Sequence, residues 1–321
     1  MAGSKVGADS WITEYITPWD IYLHGITKIL AYKKTAYQDM YIVESGAYGK
    51  GLVLDGKWQS CVGDEFIYHE ALVQPAMICH GSPRKVLVLG GGEGATVREI
   101  LRWKTVEQVM MVDIDGEVVE ACREHLPEMH QNSFDDSRTQ VVIGDALEVL
   151  EKTEQKWDIV ISDLSDPIEE GPSIKLFTKE FFEKLQGVMA PGGYLALQAG
   201  PVAPVGLRIY ARVLHTLSTV FPHVHPYAAS TPTFGEPWGL ALASAEMISS
   251  QPEPATIDQL LQEKTTGGLR LLDGVALLGI LQTPAYVRCA IASETEIYSL
   301  KELPQFFGKG ALGEKEQDEL S

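Results

Sequence analysis

Asp163 and Asp166 stand three residues apart where an apolar run, WDIVIS, gives way to DLSDPIEEGPS, with Glu169, Glu170, Gly171 and Pro172 close behind. Carboxylates in that number, with neither histidine nor cysteine among them, do not complete a transition-metal site. They suit work on a cation. An aliphatic amine, with a pKa near ~10, is protonated at neutral pH and cannot attack an electrophile. One carboxylate must take a proton from the reacting nitrogen, from within hydrogen-bond reach, while others hold the charged remainder. Asp163, at the end of an expected strand, is the better-fixed base, and Asp166 in the loop can hold the chain. Glu169 and Glu170, between turn-marking residues, read as a segment that closes on substrates. Magnesium would also accept such ligands, but no phosphate-binding lysine motif accompanies them.

The elements around this stretch alternate. KVLVLG (85–90) reads as a buried strand, GGEG as a tight turn and ATVREILRWK as a helix. VEQVMMVDID, TQVVI, WDIVISD and YLALQAG supply further strands, each separated from the next by a helical pattern. That order predicts an α/β fold: a methyltransferase-type, Rossmann-like doubly wound parallel sheet with helices on both faces. Residues 205–220 add a helix, and HVHPYAAS and WGLALAS read as antiparallel edge strands. Before all this, AYQDMYIVE, GLVL and KWQSCV form hairpins, one of them turning at Asp55-Gly56. DEFIYHEALVQPAMICH (64–80) follows as a helix capped by Asp64. The expected division is a β-hairpin domain over 1–65, a nucleoside-binding catalytic domain over 66–295 and a tail over 296–321. So small a sheet must pack on the next domain or on a second subunit.

Gly90, Gly92 and Ala95 fit G-x-G-x-x-G/A, a pattern shared by several cofactor sites. Asp113 lies 21 residues after Gly92, at a strand end where a carboxylate can bind both ribose hydroxyls. Asp145, after Gly144, ends the next strand and can accept a bond from an adenine amino group. Glu93 sits inside the glycine turn, where it would repel a pyrophosphate and suit a cationic ligand. A sulfonium nucleoside is therefore favoured over a dinucleotide. The plain alternative is that Asp113, Asp115 and Asp145 cap the following helices.

Net charge is −18, from 26 basic and 44 acidic residues, without a basic stripe; nucleic acid is an unsuitable partner. No run of 18 apolar residues predicts a membrane span, and the N-terminus lacks the apolar core of a signal peptide. Cys61, Cys79, Cys122 and Cys289 are scattered, as expected of reduced thiols in a cytoplasmic protein.

Together, GGGEGATVRE, the DID of MVDID, GDA, D-x-x-D-P followed by G-P, and DEFIYHE resemble the polyamine aminopropyltransferases, spermidine synthase and its relatives. The resemblance covers about residues 20–245 and includes the hairpins. It implies transfer of the aminopropyl group of decarboxylated S-adenosylmethionine, a co-substrate, to an amine. It implies no further cofactor and no metal, a homodimer or homotetramer, and only the polyamine and the sulfonium nucleoside as small-molecule partners. By the same resemblance Asp163 is the proton acceptor, and His69, Glu93 and Asp166 contact the amine. Gln38, Asp113, Asp145, Ala146 and Pro172 hold the nucleoside. Three features depart from the commonest spermidine synthase pattern: Glu93 in place of aspartate, the longer DPIEEGP loop, and Phe234 where a tyrosine is usual. Several motifs are closer to thermospermine synthases. Putrescine is the expected acceptor, ahead of spermidine or agmatine. The rival readings are a small-molecule methyltransferase using ordinary S-adenosylmethionine, whose carboxylate the acidic wall would oppose, and a silent nucleoside-binding protein. Gln198 ends the fifth strand and can reach the ligand, and Trp238 can wall an amine pocket.

Overall fold

The chain begins with an antiparallel meander: β1 (Ser10–Tyr15), β2 (Ile21–Lys34), β3 (Asp39–Ser45), β4 (Gly49–Leu54) and β5 (Lys57–Cys61), adjacent in sequence order. A computed structural model describes residues 7–17, 19–165 and 173–304; Asp166, Glu169, Glu170, Pro172 and the charged stretch from residue 305 onward lie outside the described residues. The β4–β5 turn follows from Asp55-Gly56, which take φ of 49° and 76°. Two positive φ values in succession give the primed turn whose twist matches the strands it joins. β1 and the long β2 were not singled out in the sequence, where exposed Tyr, Trp and Leu interrupt the alternation.

Helix α1 (Glu65–His80) leads into β6 (Lys85–Gly90), α2 (Ala95–Leu101), β7 (Gln108–Asp113), α3 (Gly116–His125), α4 (Pro127–His130), β8 (Thr139–Ile143), α5 (Ala146–Lys152) and β9 (Trp157–Asp163). Then come α6 (Lys179–Val188), β10 (Met189–Pro201), α7 (Leu207–Ser218), β11 (His223–Ala229) and β12 (Trp238–Ser244). The seven strands order as β11-β12-β10-β9-β6-β7-β8. The five from β10 to β8 run parallel, and β12 and β11 pair antiparallel at one edge. Strand order reverses between β6 and β9, so a crevice opens there at the carboxyl edge of the sheet.

The sheet is buried on both faces. Along β6, Val86 and Val88 join a core with α1 and α2, while Leu87 and Leu89 join Phe181, Phe182 and Leu214 on the other side. The N-terminal sheet does pack on this unit: Met40, Ile42 and Leu52 form one cluster with Val118, Cys122, Leu126 and Met129 of α3, α4 and their junction. All four cysteines are free thiols.

Three particulars differ from the sequence reading. Asp64 holds the N-cap position of α1 but makes no capping bond. Its carboxylate instead accepts Thr233 N–H at 2.9 Å and Thr233 Oγ1 at 3.1 Å, because α1 starts against the 232–234 turn. The strand after α6 begins at Met189 and runs through Pro191-Gly192-Gly193, with its register broken between Met189 and Tyr194. Three further helices, α8 (Pro254–Lys264), α9 (Gly274–Ile280) and α10 (Ala285–Ser293), follow the sheet. Buried Glu70 fastens them by accepting the N–H groups of Arg270, Leu271 and Leu272 at 2.7–3.0 Å. No single helix among the described residues is long and apolar enough to cross a bilayer.

Candidate active site

A cavity of about 580 Å³ opens at the crevice, walled by the glycine turn on one side and by β4 and β5 of the N-terminal sheet on the other. Its floor is made where β6 and β9 end together, Gly90 opposite Asp163. The Gly91 N–H donates to the Asp163 carbonyl at 3.0 Å. A side chain at Gly90 would drive its Cβ to 2.0 Å from that same carbonyl, at a φ of +82°. Only glycine lets the two backbones approach so closely.

The Asp163 carboxylate is held from both sides. Tyr68 Oη donates to Oδ1 at 2.8 Å and Thr96 Oγ1 donates to Oδ2 at 2.5 Å. Burial pushes its pKa up and the charge of Glu93 adds to this; His69, Thr96 and Tyr68 offset only part. Glu93 is buried at the turn, its Oε1 2.9 Å from His69 Nε2 and accepting Ser60 Oγ at 3.3 Å. Burial alone would raise its pKa, but the His69 contact more than compensates and holds it low.

His69 is fully buried and does not reach the cavity as a free side chain. Its Nδ1 lies 2.9 Å from Glu65 Oε2, and Nε2 faces Glu93. Burial works against its charge, yet the two carboxylates hold its pKa well above the ordinary value. Glu65 is in turn gripped by Arg98 through two 2.9 Å bonds. Burial would raise the Glu65 pKa, but His69 and Arg98 keep it at about 2. A chain of alternating charge, Arg98–Glu65–His69–Glu93, therefore runs from the core to the cavity wall. His69, Glu93 and Asp163 each offer a ligand atom within 4.8 Å of the others. Both histidine nitrogens face carboxylates that favour the charged imidazolium, a form with no lone pair to offer a metal. The group is better shaped to cradle a cationic nitrogen.

The residues expected to hold a nucleoside lie along β7 and β8. Asp113 lines the cavity at the end of β7 and accepts the Asp115 N–H at 2.9 Å. Burial, with Asp115, Glu93 and Asp163 nearby, lifts its carboxyl to about 7. A bound cation or a pair of hydroxyl donors would stabilise its ionised form. Asp115 is a helix cap: Oδ1 accepts the Glu117 and Val118 N–H groups at 3.2 and 3.3 Å. Its Oδ2 takes bonds from Thr35 Oγ1 at 2.6 Å and Gln38 Nε2 at 3.1 Å, fixing Gln38 at the cavity wall. Asp145 combines both readings, since it caps α5 at Leu147 N–H (2.8 Å) and lines the cavity beside Ala146. Gln198 Nε2 donates to the Leu164 carbonyl at 2.8 Å, and its Oε1 accepts the Trp238 indole N–H at 2.9 Å. Trp238, Phe234 and Tyr68 stack edge to face at 5.4 and 5.5 Å, an apolar wall beside the acids.

Tyr68, Thr96, Glu65 and Arg98 were not picked out as site residues in the sequence. Tyr68 and Glu65 sit one and four residues before His69, and no spacing rule marks either as facing Asp163 or Arg98.

Known proteins similar to this chain point to a single family. Residues 65–251 match the spermine/spermidine synthase domain, and residues 10–61 match the spermidine synthase tetramerisation domain. A polyamine aminopropyltransferase from Synechococcus sp. (strain JA-3-3Ab) is 57% identical over 302 residues, 92% of this chain and 97% of that protein. Its counterpart from Aeropyrum pernix is 42% identical over 294 residues, 91% and 93% of the two chains. Among solved structures, a spermidine synthase in complex with the transition-state analogue AdoDATO is similar with a TM-score of 0.81 and 26% identity, over 88% of this chain and 95% of that one. Spermidine synthase from Thermotoga maritima is similar with a TM-score of 0.80, also at 26% identity, over 88% and 94%.

Proposed function

We propose, since the chain belongs to the spermine/spermidine synthase family and is a polyamine aminopropyltransferase, that it transfers the aminopropyl group of decarboxylated S-adenosylmethionine to putrescine. The products are spermidine and 5′-methylthioadenosine. The observation that carries this reading is the acid pair of half-buried Asp163 and buried Glu93 at the floor of the cavity, beside an aromatic wall and below the glycine turn. A neutral amine nitrogen attacks the carbon next to the sulfonium. The carbon–sulfur bond breaks, its electron pair stays on sulfur as a neutral thioether, and the proton of the nitrogen passes to Asp163. Glu93 holds the ammonium that does not react, with Asp166 assigned the same task. Gln38, Asp113, Asp145, Ala146 and Pro172 hold the nucleoside. Alignment of nitrogen, carbon and sulfur supplies most of the rate. This chemistry asks nothing further of a cofactor or metal.

The N-terminal sheet leaves Trp11, Tyr15, Ile21, Leu23, Ile29 and Tyr32 about half exposed or more. With the tetramerisation match over the same residues, that face supports assembly as a dimer or tetramer.

The direct test offers the protein decarboxylated and ordinary S-adenosylmethionine, with putrescine, spermidine and agmatine in competition, and identifies products by mass spectrometry. Methylthioadenosine with spermidine supports the reading. Methylthioadenosine with a tetra-amine moves the acceptor to spermidine, and S-adenosylhomocysteine would replace transfer of aminopropyl by transfer of methyl.

Two further outcomes are expected. Burial lifts the Asp113 carboxyl to about 7, so it becomes protonated as pH falls through that value, and the Asp163 carboxyl, also raised by burial and by Glu93, gains its proton at a higher pH than an ordinary carboxylate. The base and the donor contact are both lost in that direction, and the amine grows harder to deprotonate. Activity should climb from about pH 6 to about pH 9; a flat profile in stopped-time assays would contradict amine attack. His69→Gln keeps a hydrogen-bond donor toward Glu93 but no charge. The acceptor KM should rise about tenfold, about 1.4 kcal/mol of lost positioning, with donor KM little changed. Equal rises in both would assign His69 a merely structural part.

A further inference from the structure

Past Glu93 the cavity continues to the N-terminal sheet, where it meets a carboxylate so far without a task. Glu14, buried in β1, has Oε2 3.1 Å from His24 Nε2 and accepting the Trp58 N–H at 3.3 Å. Its Oε1 faces the ammonium of Lys57 at 3.5 Å. That ammonium, on a side chain only 16% exposed, donates to the Tyr15 carbonyl at 2.9 Å. Glu14 and Lys57 line the same cavity as Asp163 and Glu93.

Strand β5 sets the spacing. Ser60 touches Glu93 and Trp58, two residues earlier, touches Glu14. At about 3.3 Å per residue these two points of contact on the strand lie roughly 7 Å apart. Asp163 lies within 4.8 Å of Glu93, ligand atom to ligand atom. Acids thus stand at three stations: Asp163, Glu93 and Glu14. A four-carbon diamine, with five single bonds of about 1.5 Å, spans roughly 6 Å between its nitrogens. Seated at Asp163 and Glu93, it ends short of Glu14. A triamine would bring a third ammonium to Glu14, where Lys57 already stands.

We propose that Lys57 determines acceptor length: its resident ammonium neutralises Glu14 and repels a third ammonium, so the site takes the diamine and refuses longer polyamines. The inference rests on the aminopropyl-transfer reading above and names the substrate class of that same site.

The test measures kcat/KM for spermidine relative to putrescine in the full-length protein. Lys57→Met should raise the ratio about tenfold, about 1.4 kcal/mol. Lys57→Arg, which keeps the charge, should leave it near that of the wild type. Lys57→Met with Glu14→Gln should lose the gain, because the third station no longer holds an anion. Lys57→Gln stands in should the methionine variant not fold. A ratio that stays within about twofold in Lys57→Met, or rises equally in Lys57→Arg, overturns the inference while leaving the enzymatic reading intact. Wild-type protein that forms no methylthioadenosine with any amine overturns that reading first, and the inference with it.

Discussion

Asp163→Asn is expected to lower kcat about 10³-fold, roughly 4 kcal/mol of barrier, while donor affinity stays within a few-fold of wild type. Two hydroxyls, from Tyr68 and Thr96, already donate to the two carboxylate oxygens. An amide in that place turns one acceptor into a donor facing a donor, so the variant loses both the base and its alignment. On the proposed reading Asp113 and Asp145, not this carboxylate, carry the nucleoside, and titration calorimetry with decarboxylated S-adenosylmethionine separates the two effects. Tyr68→Phe removes only one of the bonds that aim the carboxylate and should cost about tenfold. If Asp163→Asn turned over within tenfold of wild type, another group would have to take the proton.

Arg98→Met is expected to destabilise the fold by about 3–5 kcal/mol, a fall in melting temperature of roughly 5–10 °C by calorimetry at pH 7. Arg98 is 7% exposed and spends its guanidinium on Glu65, on Glu99 and on the Met129 carbonyl. Its loss leaves buried Glu65 with His69, and buried Glu99 with Arg102, as the remaining cation, and removing one partner of a buried ion-pair network costs far more than the intact network contributes. Glu65, kept at about 2 by His69 and Arg98, gives a sign to the pH dependence. A carboxyl with a lowered folded-state pKa contributes stability above its unfolded value, near 4.5, and loses it as pH falls toward 2. The variant's deficit should therefore be full at pH 7 and shrink under acid. Lysine at position 98 keeps the charge but not the fork and should fall between. A melting temperature within 1–2 °C of wild type would mean the ion pairs contribute little net stability.

The parts of the fold that repeat a simple period were legible in the sequence. β6, β7, β9 and most of β10 are apolar runs because both faces of the sheet are covered there, and glycine, aspartate and proline punctuate them. Asp113, Asp145 and Asp163 could be placed because each follows such a run at the same edge. What escaped were contacts between elements far apart in the chain. Tyr68 meets Asp163 across 95 residues, and nothing local to α1 shows which face of that largely buried helix turns toward the crevice. His69 was read as an amine contact from its motif; the structure seats it one layer back, because Glu65 four residues earlier and Glu93 claim both ring nitrogens. The capping reading for Asp115 and the ligand reading for Asp145 compete on equal terms in sequence, and only the geometry divides them: Asp115 caps α3, whereas Asp145 caps α5 and borders the cavity. β2 was obscure for another reason. Much of one face is exposed, so its apolar residues do not alternate with polar ones.

The Asp55-Gly56 hairpin turns a few residues from the far end of the cavity, on a sheet whose strand β5 meets the glycine turn through the Ser60–Glu93 bond. On the proposed reading the β4–β5 hairpin carries the acceptor-measuring Lys57, while the residues assigned to the donor, Gln38 included, lie outside that hairpin. Exchanging residues 49–61 for the same hairpin of a relative should carry over that relative's taste in amines and leave its handling of the sulfonium nucleoside untouched. A lineage can broaden its range of polyamines by drift in one short ribbon, without revisiting the machinery that breaks the carbon–sulfur bond.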